Sequence, residues 1–362
     1  MSDPLLRVKP AVRAVAAYTL AARQAPVKIN QNENPFDLPE AVKRRVLDEA
    51  LSRSWSRYPD FDPKPLRQKL ATFCGWREDG ILCGNGSNEL IEALLLVTVG
   101  AGTRVVIPEP TFTLYALMTT ILGGEAVRVR LTPELQYDES ALETAHRTHG
   151  MSVICSPNNP TGNEISSAAI ERLANHGGLL VIDHAYQEFS DESVVPLLEK
   201  HPNLVVLRTF SKAMGMAGLR VGYLLGAPEL VREIDKARLP YNLNFFSQAA
   251  AMASLDCYET TLLPNVRRLK MLREELRSSL EKFPGVRVYP SAANFLLVEL
   301  LKADPKTVFE ALYEKGVLVR DVTGYPMLEK CLRISVGSET ENKTFLDALS
   351  DAIRAGAGAR RA

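Results

Sequence analysis

Four short runs constrain the fold of this chain more than any other feature: "RVVI" in "TRVVIPEPTF", "MSVIC", "LLVID", and "LVVL" in "LVVLRTFSK". Each is almost wholly apolar, rich in β-branched residues, and halted by a turn or a polar tail. Helical patterns follow them, such as "TLYALMTTILGG" after the first, "SAAIERLANHGG" after the second and "VVPLLEKHPN" after the third. A strand with one wet face alternates polar and apolar residues. These runs do not alternate, so both faces are covered by helices. The predicted fold is α/β, with a mostly parallel sheet between helical layers. Ligands of such sheets gather beyond the carboxyl ends of the strands. That rule selects "PEPTF", "SPNNPTG", "DHAY" and "TFSK" as tails of a single site.

The rhythm changes after about residue 245. A long charged helical stretch, "LLPNVRRLKMLREELRSSLEKF", precedes short strand patterns in "VRVYP", "NFLLVEL", "VLVRDV" and "CLRISVG". Helical patterns in "PKTVFEALYEKG" and "ENKTFLDALSDAIRAG" complete a smaller α+β unit. A chain of 362 residues is long enough for two domains. The expected division is an N-terminal arm over 1–35, a large domain over 36–245 and a small C-terminal domain over 246–362. The final "AGAGARRA" is expected to fray.

Lys plus Arg number 43, as do Asp plus Glu, so there is no net field to draw nucleic acid or an anionic membrane. The start "MSDPLLRVKP" lacks a leader pattern, and the apolar stretch "ALLLVTVGAG" is too short to cross a bilayer. Five scattered cysteines without a C-x-x-C pair read as reduced thiols in a cytoplasmic protein. The five histidines show no ligand spacing, and His146 and His149 read as part of a solvated helix face. No metal site is expected.

Lys212 in "TFSKAMGMAGLR" lies just past a strand end. By itself it reads as a surface lysine. A lysine that attacks a carbonyl must instead be desolvated or set beside other cations. Arg220 supplies such a charge, and Thr209, Ser211 and Arg220 together suit a phosphate. Asp183 ends the apolar run "LLVID", where a carboxylate either caps the next helix or meets a buried cationic partner. A protonated pyridine nitrogen is such a partner, so Asp183 and Lys212 together point to pyridoxal 5′-phosphate. "GNGSNELIEALLLV" starts a helix at which Gly86 permits close backbone approach and Ser87 or Asn88 is the expected cap, and free amides there suit a phosphate. Asn158 and Asn159 in "SPNNPTG" are either turn residues or pointers toward a ring oxygen. Phe112 and Tyr186 read either as core packing or as contacts to the cofactor ring. Arg333 in "CLRISVG" either faces water on an edge strand or grips a carboxylate.

The ordered set "NENP", "RYPD", "GNGSNE", "PEPTF", "SPNNPTG", "VIDHAYQEF", "TFSKAMGMAGLRVGY" and "LRISVG" resembles the fold-type I aminotransferases, and most closely the histidinol-phosphate aminotransferase family. The resemblance runs from "KINQNENPF" to "CLRISVGSETEN". It implies that Lys212 holds the cofactor as a Schiff base and moves a proton between Cα and C4′. It also implies that Asp183 pairs with the pyridine nitrogen, Asn159 and Tyr186 contact the ring oxygen, and Phe112 stacks on the ring. Ser87, Asn88, Thr209, Ser211 and Arg220 would hold the phosphate. Tyr58 would reach the cofactor of a second subunit, which implies a homodimer. Tyr18, Arg320 and Arg333 would bind substrate beside Asn159, and Tyr241, Asn242 and Asn244 would line the pocket. The implied reaction is transfer of the amino group of L-histidinol phosphate to 2-oxoglutarate. Aromatic amino acid transamination, decarboxylation of a phosphorylated amino acid and a cofactor-binding regulator are the alternatives.

Overall fold

The computed structural model describes residues 3–16 and 23–358, with side chains as far as Arg354. In chain order the strands are β1 (Val27–Lys28), β2 (Ile81–Gly84), β3 (Arg104–Glu109), β4 (Glu125–Arg130), β5 (Met151–Cys155), β6 (Leu179–Asp183), β7 (Leu204–Thr209) and β8 (Gly222–Leu225). They continue with β9 (Val286–Val288), β10 (Phe295–Leu300), β11 (Val317–Leu318), β12 (Arg320–Asp321) and β13 (Cys331–Ser335). Seven of them form one sheet in the order β2-β8-β7-β6-β5-β3-β4. All its neighbours are parallel except those of β8, which runs against both β7 and β2.

The four apolar runs are β3, β5, β6 and β7, at the centre and on one flank of this sheet, and the α/β expectation is met. Successive residues of each strand enter opposite layers. Ile154, Ile182 and Val206 pack against helices that include Lys64–Cys74, Ser167–Asn175 and Phe245–Asp256. Val153, Val181 and Val205 pack with helices Ser87–Thr98, Leu114–Leu122 and Pro228–Asp235. Burial on both sides is what the absence of alternation requires.

The second sheet is antiparallel, in the order β12-β13-β10-β9. Helices Pro305–Glu314 and Glu339–Gly358 cover it through Val308, Leu312, Phe345 and Leu349. Strand β1 pairs parallel with β11, so the start of the chain is stitched to the C-terminal lobe. Helix Phe245–Asp256 goes the other way, burying Ala249, Ala250 and Ala253 in the core of the large sheet.

Three local expectations are corrected. Neither Ser87 nor Asn88 caps its helix: Gly86 is the cap, with φ +79°, and Ser87 is the first helical residue. Glu89 instead reaches back to accept from the Asn85 amide at 2.6 Å. His146 is not on a wet face but is buried, with its ring nitrogens on Ser152 Oγ and the Gly177 carbonyl. The pattern "VVPLLEKHPN" yields only a 3₁₀ turn, Val195–Glu199.

Candidate active site

Strand direction brings the polar tails together. The carboxyl ends of β3, β5, β6 and β7 lie on one edge of the large sheet, and the start of the opposed strand β8 joins them. A cavity of about 170 Å³ opens there, lined by Ser87, Asn88, Phe112, Tyr115, Cys155, Asn159, Asp183, Ala185, Tyr186, Thr209, Ser211, Lys212 and Arg220. Ten of these come from five separate segments that sequence reasoning singled out. Tyr115, Cys155 and Ala185 were missed.

One pole of the cavity is acidic. Asp183 is buried, and its carboxylate accepts from Tyr115 Oη at 2.6 Å and from the Ala185 amide at 3.0 Å. Burial pushes its pKa up, against the pull of those donors and of the Lys212 charge. A cationic group set against Asp183 would relieve that strain. The other pole is a cradle for an anion. Arg220 Nη1 donates to Ser211 Oγ at 3.1 Å, and Thr209 Oγ1 donates to the same Oγ at 3.0 Å. A Cβ on Gly86 would stand 2.4 Å from Arg220 Nη2, so only glycine lets the guanidinium close over this helix start. Likewise a Cβ on Gly222 would meet the Ser87 amide nitrogen at 2.3 Å. The first amides of helix Ser87–Thr98 have no side-chain cap, which leaves them for an oxyanion.

Lys212 stands between the poles. Its Nζ donates to the Gln31 carbonyl at 2.9 Å and lies 5.8 Å from the centre of the Tyr186 ring. Burial, then the positive charge of Arg333, brings its pKa down to about 7. A large share of its amine is therefore neutral and nucleophilic near neutral pH. Phe112 forms one wall and packs edge-on to Tyr115, with ring centres 5.6 Å apart. Tyr186 is buried and packs edge-on against Phe295 at 5.3 Å.

The two asparagines of "SPNNPTG" part company. Asn158 is wholly structural, accepting from Thr111 and donating to the Pro110 carbonyl and Thr161. Asn159 lines the cavity and accepts from Arg333 Nη1. Arg333 also donates to the Asn30 carbonyl at 2.8 Å. It is buried, so the edge-strand alternative fails. Arg320 pairs with Arg333 in the β12–β13 register and lines a wider cavity of about 800 Å³ that shares Phe112 with the first. Tyr58 is outside both, 81% exposed and stacked on Tyr241 at 4.5 Å. Asn242 donates to Glu89 and the Cys83 carbonyl, and Asn244 caps helix Phe245–Asp256. Tyr18 lies outside the described residues.

The missed partners had weak signals. Tyr115 sits one helical turn past Phe112 and reads as an amphipathic face. Asn30, Gln31 and Asn32, in the arm segment "KINQNENPF", show no periodicity at all.

A buried acid, a depressed lysine and an anion cradle on one sheet edge define a site for covalent carbonyl chemistry with a phosphorylated aldehyde. The aminotransferase class I and II family profile matches residues 25–349, and the chain belongs to that family. It is an enzyme of amino-group transfer. Among its relatives, the histidinol-phosphate aminotransferase of Chlorobium phaeovibrioides is 38% identical over 352 residues, covering 96% of this chain and 97% of the relative. That of Chlorobaculum parvum is 39% identical over 347 residues, covering 94% and 97%. Among solved structures, histidinol-phosphate aminotransferase from Sinorhizobium meliloti in complex with pyridoxal-5′-phosphate aligns with a TM-score of 0.87 at 26% identity, covering 96% of this chain and 98% of that one.

Proposed function

We propose that the enzyme transfers the amino group of L-histidinol phosphate to 2-oxoglutarate, with pyridoxal 5′-phosphate as cofactor, in histidine biosynthesis. The observation that carries the phosphate-bearing substrate is the β12–β13 register. Residues directly opposite on antiparallel strands project from the same face, and like charges there are destabilising without an anion between them. Arg320 and Arg333 are such a pair, and Arg320 lines the wide cavity. Two guanidinia suit a dianionic phosphate better than a single carboxylate. They also suit the distal carboxylate of the oxo acid. The near full-length similarity to histidinol-phosphate aminotransferases supports the same reading.

The residues fit the cofactor. Asp183 would hold the pyridine nitrogen, and the Gly86–Asn88 helix start with Thr209, Ser211 and Arg220 would hold the phosphate. Phe112 would lie on the ring, while Asn159 and Tyr186 would contact its oxygen. Bound there, the cofactor supplies an aldehyde for the amine and a protonated ring that draws electron density from Cα. Lys212 would hold the aldehyde through Nζ and, as a neutral amine beside the substrate, would carry the proton between Cα and the aldehyde carbon. Asp183, whose carboxylate accepts from Tyr115 and the Ala185 amide, would pair with the protonated ring nitrogen. Arg333 and Arg320 orient the substrate and supply no proton.

The exposed Tyr58–Tyr241 stack, with exposed Trp55 and Phe61 nearby in sequence, supports a homodimer in which Tyr58 reaches the other subunit's site. A cytoplasmic location accords with the finding that no helix among the described residues is long and apolar enough to cross a membrane. We divide the chain into an arm to residue 35, a large domain from 36 and a small domain after about 245. Helix Phe245–Asp256 packs with the large domain.

Arg320→Gln tests the substrate assignment. A charged hydrogen bond contributes about 1.5–3 kcal/mol, so kcat/KM for histidinol phosphate should fall roughly 10- to 150-fold. The kcat/KM for phenylalanine, which reports only the half-reaction with the donor, should change less than about twofold. Negligible turnover of histidinol phosphate by the unaltered enzyme, or equal losses for both donors, would sink the assignment.

A further inference from the structure

Three consecutive arm residues touch three groups of the site. The Asn30 carbonyl accepts from Arg333, the Gln31 carbonyl accepts from Lys212, and the Asn32 carboxamide donates to Tyr186 Oη at 2.9 Å. The first two are backbone contacts, open to any residue. The third needs a particular side chain, and its surroundings are built to hold that side chain. Asn32 is 1% exposed and has φ +55°, a left-handed conformation that asparagine tolerates better than most residues. Its amide donates to Ser335 Oγ at 2.8 Å, and its carbonyl accepts from Asn294 Nδ2 at 3.0 Å.

Counting protons fixes which way the carboxamide points. Ser335 Oγ carries one proton. It accepts from the Asn32 backbone amide and gives that proton to Asn32 Oδ1 at 3.0 Å. Turning the carboxamide over would put Nδ2 against the hydroxyl and leave the proton of a buried serine without this acceptor, which is costly. Nδ2 therefore faces Tyr186, and Tyr186 Oη is the acceptor in that bond. The phenol proton must be spent elsewhere. Tyr186 lines the cofactor cavity beside Asn159 and Lys212.

The geometry points to Asn32 as a positioning residue: by donating to Tyr186 Oη, it directs the phenol proton into the cavity, onto the ring oxygen of the bound cofactor. Its own supports, Asn294 and Ser335, lie at the ends of β10 and β13 in the small lobe, whereas Tyr186 follows β6. Asn32 thus transmits the placement of the small lobe to a hydroxyl of the large one. This inference rests on the cofactor reading above.

A pH titration of the visible absorbance of the holoenzyme tests it. Donation from Tyr186 stabilises negative charge on the ring oxygen, so losing it raises the titration midpoint. Asn32→Asp keeps the shape but replaces the donor by an acceptor that captures the phenol proton. Its midpoint should rise by roughly half a unit to one unit, the size of one hydrogen bond, in the same direction as Tyr186→Phe. Asn32→Ala should raise the midpoint in the unaltered background and add nothing in the Tyr186→Phe background. If Asn32→Asp does not fold, the Asn32→Ala comparison decides by itself. An unmoved midpoint in Asn32→Asp, or an Asn32→Ala shift as large without the phenol as with it, would overturn the inference. An unaltered protein that gains no visible band with pyridoxal 5′-phosphate would overturn the cofactor reading and this one together.

Discussion

Replacing Lys212 by methionine tests the electrostatics of the site without substrate or cofactor. The Lys212 amine titrates at about 7 in the folded protein, pushed down by burial and then by Arg333, against 10.5 for an ordinary lysine. Between those values the unfolded chain binds the extra proton. Stability therefore rises with pH across that window and is lost as pH falls through it. A gap of about three and a half units costs the folded state about 5 kcal/mol below pH 7 and about 1.5 kcal/mol at pH 9.5. The side chain is only half-buried and faces a cavity, so screening reduces the lower-pH cost to about 2–4 kcal/mol. Methionine keeps the length and removes the charge. It also loses the bond to the Gln31 carbonyl, worth about 1 kcal/mol. Cofactor-free Lys212→Met should thus exceed the cofactor-free parent by about 1–3 kcal/mol at pH 6, with the gap closing toward pH 9.5. Urea unfolding at the two pH values measures this, comparing midpoints of the first transition because two lobes need not unfold together. A variant less stable at pH 6, or a gap that ignores pH, would refute the reasoning.

Two further substitutions probe the poles. Gly86→Ala forces a side chain to φ +79° and against Arg220, so affinity for pyridoxal phosphate should drop about tenfold or more. Unphosphorylated pyridoxal should lose far less, and equal losses in a fluorescence titration would place the phosphate elsewhere. Tyr115→Phe removes the 2.6 Å donor to the buried Asp183, a bond to a charged group worth about 1.5–3 kcal/mol. The Asp183 pKa, already raised by burial, rises further. A raised carboxyl pKa contributes stability that is lost as pH climbs through it. Cofactor-free Tyr115→Phe should therefore unfold at lower urea than the parent at pH 7.5 and draw level under acid conditions. Equal midpoints at pH 7.5 would contradict this.

The sheet was legible because its strands are buried on both faces, and unbroken β-branched runs are the direct imprint of that burial. Direction then did the rest: right-handed crossovers between parallel strands put every carboxyl end on one edge. Asp183 and Lys212, in different tails, could therefore be placed in one site from the sequence. Gly86 was legible as a close approach, although its neighbour proved to be Arg220 and the cap proved to be Gly86 itself. What the sequence could not state is any contact that depends on side-chain reach between distant elements. Asn32 bonds Ser335 across 303 positions, and nothing in an aperiodic polar arm signals it. Tyr115 occupies a helical position that packing alone turns toward Asp183. His146 was expected in water, but Ser152 and the Gly177 carbonyl satisfy both its nitrogens and make burial affordable. The depressed Lys212 amine belongs to the same class. Residue types name the lysine, while its proton affinity comes from the packing that removes water and sets Arg333 near it. Local pattern determined the scaffold and the identity of its polar tails. Only the tertiary structure decided their partners, because partnership is a matter of distance.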